Sequence, residues 1–216
     1  MMHLVLSSMA AMASRNQHDG QIRLFRNERL ESLTRISLPG FLVVWAIALP
    51  LIAWTAMGTA DLAHAIALVA LGIGVWSLFE YAMHRFLFHW ESRNAFVRGC
   101  VFVMHGNHHD LPNDAMRNLM PPIASFPIAG VVWAVCHLVA GVGANWTFFG
   151  FMLGYFAYDL VHYACHQWPM RGRFARMMKR HHMRHHHVAV DGNYAITALF
   201  WDRVLGTRIT SLKPRG

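Results

Sequence analysis

The sequence predicts an all-α integral membrane protein with four transmembrane helices, and three observations carry that class. Of the 216 residues, 55% are hydrophobic and only 14% are charged, far from the average soluble composition. Four apolar stretches, at 41–57, 62–83, 123–144 and 146–165, approach the roughly 20 residues a helix needs to cross a bilayer. The 19 Lys and Arg are asymmetric about them: five precede the first stretch, four lie between the second and third, and ten follow the fourth. The two short turns carry none. Basic residues mark the cytoplasmic side, so the protein is expected to be multi-pass with both termini and the central segment cytoplasmic.

Taken in order, residues 1–13 are mildly apolar but lack the basic start of a secretory signal, since Arg15 follows rather than precedes them. Residues 16–37 carry Leu24, Phe25, Leu30, Leu33 and Ile36 at helical spacing and read as an interfacial helix leading into the first span. The chain divides into a cytoplasmic or interfacial segment, 1–40, and a membrane domain, 41–216. Pro50 and Pro127 interrupt two spans, which helices in lipid tolerate. The intervals at 58–61 and around Asn145 are so short that the spans should pair as two hairpins. Cys100, Cys136 and Cys165 form no CxxC and read as small buried hydrophobes. The net charge of +8 is mostly topological. The basic run 171–184 therefore speaks for anionic lipid headgroups and against nucleic acid.

Ten of the sixteen histidines fall in four spaced groups, all at the cytoplasmic ends of the spans: His84 and His89; His105, His108 and His109; His162 and His166; His182, His185 and His186. Ionisable side chains near membrane spans are costly, so clusters of them call for a ligand. On a helix, positions i, i+3 and i+4 share a face, which makes each HxxHH group converge and pairs His162 with His166. His84 and His89 are about 140° apart on a regular helix. Either the helix ends near Arg85 or, the reading preferred here, the two rings serve different sides of a two-metal centre. His64 and His137 read as hydrogen-bonded core residues, His3 and His18 as exposed, and His181 and His187 as flanking residues outside the ligand set.

Imidazole suits zinc, copper, iron and nickel alike. A structural zinc site closes with four ligands and usually includes Cys. Ten histidines without thiolate are too many for one ion and about right for two. Two ions held by neutral nitrogen keep a high positive charge, which suits iron that activates O2. Carboxylates should orient the ring N–H groups from behind. Asp159 lies three residues before His162, Glu80 four before His84, and Asp110 directly after His109. Asp159 interrupts an apolar run and is taken as the catalytic carboxylate of the three.

These residues resemble the fatty acid hydroxylase superfamily of integral-membrane di-iron enzymes. The resemblance covers about 80–207. Within it EYAMHRFLFH (80–89) and HGNHHDLPNDAMRNLMPP (105–122) are similar to the fatty acid 2-hydroxylase branch. YDLVHYACH (158–166) and KRHHMRHHH (179–187) fit the remaining histidine boxes, and GNYAITALFWDRVLGT (192–207) the closing segment, with a sterol-oxidase flavour in its NY and WDRVLGT. The resemblance implies four membrane helices under a cytoplasmic helical cap that completes a di-metal site, with the ten clustered histidines as ligands. It implies two Fe ions, with zinc as the ion purification can leave in their place, and O2 as co-substrate. The chain shows no haem-binding HPGG, so electrons are expected from a separate donor: a cytochrome b5-like protein, a ferredoxin or a similar reductase.

The function expected is O2-dependent hydroxylation of a lipid acyl chain. Ligands at the interface favour C2 or C3 of a fatty acyl or ceramide-type lipid over mid-chain positions. The segment 110–122, with Arg117, is expected at the headgroup mouth. Two alternatives stand beside this reading: a sterol, carotenoid or other lipid oxidase or desaturase of the same superfamily, and a non-enzymatic membrane metal-handling protein.

Overall fold

The computed structural model describes residues 21–210, and every regular element among them is helical. The expectations for residues 1–13, His3 and His18 lie outside the described residues. In chain order the α-helices are α1 (Glu28–Leu33), α2 (Leu38–Ala56), α3 (Leu62–Ala82), α4 (Ala95–Val101), α5 (Asn107–Asp110), α6 (Pro122–Ala140), α7 (Ala144–Gln167), α8 (Arg173–His187) and α9 (Phe200–Val204).

Local chemistry sets these boundaries. The Ser37 hydroxyl accepts from Gly40 N at the start of α2, with Pro39 inside the first turn where its missing N–H costs nothing. The Asp61 carboxylate caps α3 by accepting from His64 N. Helix α6 stops at Ala140, short of the expected 144, because Gly141 takes a φ of +54° that favours glycine. A 3-10 turn, Gly141–Gly143, then leads straight into α7.

Three segments are long and apolar enough to cross a membrane: Leu38–Ala56, Leu62–Phe88 and Pro122–Ala140. Only 11–17% of each is buried within the protein, which leaves wide apolar faces for lipid. The chain is a membrane protein. Helix α7, which holds the fourth expected span, differs from these three: thirteen of its 24 residues are buried. It is the central helix, packed against α2, α3 and α6, and α3 gives its closest face to α7 rather than to its hairpin neighbour α2.

The α3–α7 contact is backbone on backbone. A Cβ on Gly72 would lie 2.0 Å from the Thr147 carbonyl oxygen, and one on Gly150 would lie 2.1 Å from that of Val69. Small residues are what let two helices in lipid approach so closely. One turn further, Trp76 fits edge-on against Phe151, Tyr155 and Tyr158, with ring centroids 5.0–5.5 Å apart. At the other end, the Asn145 amide donates to the Thr55 carbonyl and accepts from Trp133 Nε1, joining α2, α6 and α7.

Two expectations are corrected outside the metal centre. The described part of 16–37 is irregular through residue 27, and only Glu28–Leu33 is helical. Its cause is a buried polar clamp that competes with helix formation. Arg117 donates to the carbonyls of Ile22 and Thr34 and pairs with Glu31, while Glu31 accepts from Leu24 N and Phe25 N, and Asp114 accepts from Ile22 N. Arg117 is therefore buried and fully engaged, not offered to a lipid headgroup. The second correction concerns His64 and His137. Both are hydrogen-bonded, to Asp61 and to the Trp133 carbonyl, but neither is in the core: His64 is exposed and His137 is half-buried. Cys165 is buried, whereas Cys100 and Cys136 are half-buried.

Candidate metal centre

Helix α3 runs without a break into a π-helical turn, Met83–Phe88, and α4 runs into a second, Phe102–Gly106, from which α5 continues. A π turn closes i→i+5 hydrogen bonds, so a residue shares a face with the one five later. His84 and His89 consequently point the same way. The expectation that they serve different sides of the centre is overturned, because it assumed the α-helical repeat.

All ten clustered histidines come together, in two groups of five. His84, His89, His105, His109 and His185 form the first, and His108, His162, His166, His182 and His186 the second; within each, the facing nitrogens lie within 4.8 Å of one another. Neighbouring Nε2 atoms are 2.9–3.2 Å apart in the first group and 2.8–3.1 Å in the second. Each HxxHH box is divided rather than convergent. The i and i+4 histidines join one group and the i+3 histidine crosses to the other, so His108 and His185 are exchanged between groups. The groups share a wall, where the His109 and His186 rings stack with centroids 4.3 Å apart. His181 and His187 belong to neither group, and His181 Nε2 lies 2.9 Å from an Asp202 oxygen.

The ring nitrogens behind the cluster explain why Nε2 faces inward. His84 Nδ1 donates to the Tyr194 carbonyl at 2.6 Å, His185 Nδ1 to that of Gly192 at 2.7 Å, and His162 Nδ1 to that of Asn118 at 2.8 Å. A proton held at Nδ1 leaves the Nε2 lone pair free. Burial pushes His89 down to about 4 and His109 to about 3, and burial with the repulsion of neighbouring rings also depresses His105, His108, His182 and His185. At neutral pH these rings are uncharged donors of electron pairs.

Such a donor set fits metal. With metal–nitrogen bonds of about 2.1 Å, nitrogens on adjacent vertices of an octahedron stand about 3.0 Å apart and opposite ones about 4.2 Å. The nearest Nε2 pairs of both groups, 2.8–3.2 Å apart, have the spacing of nitrogens that share one ion.

The three carboxylates expected behind the rings are corrected, since none accepts an N–H from a histidine of either group. Glu80 instead accepts from Ile196 N, Thr197 N and Ala198 N and from the Thr197 hydroxyl and Trp76 Nε1. Together with Asp202, which accepts from Tyr194 N and Ala195 N, it shapes the loop whose carbonyls orient His84 and His185. Asp159 accepts from Met120 N at 3.0 Å and the Tyr155 hydroxyl at 2.8 Å, and Asp110 is exposed. The residues missed are Asn118, Gly192 and Tyr194, which act through main-chain oxygens, Asn118 also through its amide, 3.2 Å from His108 Nδ1. Every residue has a main-chain oxygen, so no side-chain signal marks Gly192 or Tyr194.

Two cavities lead away from the centre. The first has His105, His108, His162 and Asp159 in its wall; the second lies among Trp76, Phe79, Ala129, Met152 and Tyr155. Phe88, Met120, Ile128 and Tyr158 line both, so the two are adjacent. The inner one is almost wholly apolar.

A helical membrane protein with ten inward-facing imidazoles in two five-membered groups carries two candidate metal sites side by side. Residues 69–207 match the Fatty acid hydroxylase family. A dihydroceramide fatty acyl 2-hydroxylase of Arabidopsis thaliana is 32% identical over 89% of this chain and 82% of its own length. A ceramide very long chain fatty acid hydroxylase of Saccharomyces cerevisiae is 34% identical over 89% of this chain and 51% of its own. The fatty acid 2-hydroxylase of Homo sapiens is 31% identical, and the chain spans 58% of it. The solved structure of full-length scs7p, with only its hydroxylase domain visible, superposes with a TM-score of 0.84 at 30% identity, over 92% of this chain and 76% of that one. The chain belongs to the fatty acid hydroxylase family, on its 2-hydroxylase side, and is an enzyme of that class.

Proposed function

We propose that this protein hydroxylates the acyl chain of a membrane lipid at C2, using two iron ions held by the two histidine groups. The observation that carries the reading is the junction of the paired five-histidine groups with a cavity that continues into apolar space between α3, α6 and α7. Relatives named for 2-hydroxylation and for ceramide support the position and the substrate class.

Iron bound there would supply the activation of O2 and the cleavage of an unactivated C–H bond. The protein's own residues do the rest. His84, His89, His105, His109 and His185 hold one ion, and His108, His162, His166, His182 and His186 the other. The backbone oxygens of Asn118, Gly192 and Tyr194 fix ring orientation. Tyr158, Met120, Phe88 and Ile128 form the neck through which an acyl chain reaches the inner cavity, placing the carbons next to its carbonyl beside the histidines and excluding water. Asp159 is a positioning residue, holding Met120 and Tyr155 at that neck. The buried length of α7 completes a four-helix membrane unit, with both termini and the centre on the cytoplasmic side and α8 and α9 as its cap. A separate electron donor serves it.

Expression in a host lacking hydroxylated lipids under 18O2, with mass spectrometry of total lipids, tests this. A labelled hydroxyl at C2 is expected. Labelled sterol or carotenoid would overturn the substrate class, and bound metal with no labelled product the chemistry.

A further inference from the structure

Between α3, α8 and α9 runs an open groove that takes no part in the metal centre. Its floor is Ile73 and Ser77 on α3, inside the segment Leu62–Phe88 that is apolar enough to cross a membrane. Its walls mix exposed aromatic rings, Phe174 and Phe200, with four arginines: Arg180, Arg184, Arg203 and Arg208. Among the described residues no carboxylate lines it. The nearest acidic residue in sequence, Asp202, is buried and already engaged by Tyr194 N, Ala195 N, the Thr207 hydroxyl and His181. Arg184 reaches only the Ile209 carbonyl, at 3.4 Å, and Arg180, Arg203 and Arg208 are exposed.

The depth of the groove is fixed by α9. Trp201 Nε1 donates to Ser77 Oγ at 3.2 Å, which docks α9 seven residues before His84, or about 10 Å along α3. Phe200 and Val204 remain exposed there, at 51% and 67%. Apolar side chains are thus presented at the level of the acyl chains, with guanidiniums just above them. Guanidinium forks match phosphate oxygens, and their apolar stems lie comfortably along lipid. A small anion leaves the apolar floor unexplained, and an acidic protein does not reach a floor lying within a membrane-crossing segment.

We propose that this groove binds an anionic phospholipid of the leaflet nearest the metal centre. Its phosphate sits among Arg180, Arg184, Arg203 and Arg208, and one acyl chain lies over Ile73 and Phe200. The lipid ties α8, which carries His182, His185 and His186, to α3, which leads into His84. The proposal rests on the membrane placement given above but not on the acyl chemistry, and its test reads lipid rather than turnover.

Full-length protein in nonionic detergent is titrated with phosphatidylglycerol or phosphatidylcholine, bound lipid is counted by native mass spectrometry, and thermal unfolding is followed alongside. Phosphatidylglycerol is expected to be retained and to raise the unfolding midpoint, and phosphatidylcholine to do neither. The double variant Arg203→Gln/Arg208→Gln should unfold normally without lipid yet bind phosphatidylglycerol about thirtyfold more weakly, the loss expected for two arginines at a charged bilayer surface. Arg93→Gln/Arg171→Gln, which removes the same charge elsewhere, should bind as the parent does. Equal binding of the two lipids, an equal loss in the control pair, or equal stabilisation by inorganic phosphate or a soluble acidic protein would each overturn the assignment.

Discussion

The two histidine groups hold the same number of rings but are built differently. The first stands on two π turns, Met83–Phe88 and Phe102–Gly106, and is steadied by the loop at 192–194, whose carbonyls fix His84 and His185. The second takes four of its rings from the regular helices α7 and α8. Of its members, His162 is fixed by the Asn118 carbonyl and His108 Nδ1 meets the Asn118 amide at 3.2 Å, while His182 Nδ1 and His186 Nδ1 are buried without a hydrogen-bond partner among the described residues. One group thus gains its shape from backbone irregularity and a loop of main-chain oxygens, the other from helical period and a single asparagine. The difference teaches that like donor sets can rest on unlike supports, and should fail in unlike ways.

The largest effect expected is at the exchanged pair. His185→Ala should empty the first group and His108→Ala the second, each leaving about one ion per chain by elemental analysis. Hydroxylated product should fall more than about a hundredfold in both, beyond the usual loss from removing an outer partner. Loss of both ions from either variant would show that the stacked His109 and His186 rings couple the groups.

Next comes Glu80→Ala, which leaves the N–H groups of Ile196, Thr197 and Ala198 without their acceptor at about 1–3 kcal/mol each where they stay dry. Thermal unfolding should drop sharply, and the first group should lose metal before the second. Asn118→Ala, which removes the amide 3.2 Å from His108 Nδ1, should instead weaken the second group, by about 10–100-fold in metal affinity.

Gly150→Ala should weaken both groups together, because its Cβ meets the Val69 carbonyl and pushes α3 from α7. Gly74→Ala, with nothing within 4 Å of its Cβ, is the control expected to keep full metal content. The smallest effect is kinetic. Under a chelator the second group, with its unpartnered Nδ1 atoms, should empty first, seen as two phases that His108→Ala reduces to one.

Much of this was legible in the sequence, and the residues show why the rest was not. The spans at 41–57 and 62–83 and the ten histidines follow from composition and spacing, which are local properties. The pairing of His84 with His89 was hidden because a π turn changes the repeat on which facing is judged. The exchange of His108 and His185 was hidden because it depends on how α5 and α8 lie against each other. Glu80 reads in the sequence as a partner of the rings and Arg117 as part of a headgroup mouth, yet their partners lie 117 and 86 residues away, at Thr197 and Glu31. Sequence marks a buried charge as needing company without naming the company.

The glycine contact between α3 and α7 carries one more consequence. Where two helices meet main chain to main chain, no side chain remains to yield, so the gap between them behaves as a fixed gauge. His84 and His162 stand at the ends of its two arms. The residues that shape the lipid-side hollows, Phe79, Ala129 and Met152 among them, can then be exchanged to suit longer or shorter tails while the ruler that spaces the ions keeps its length.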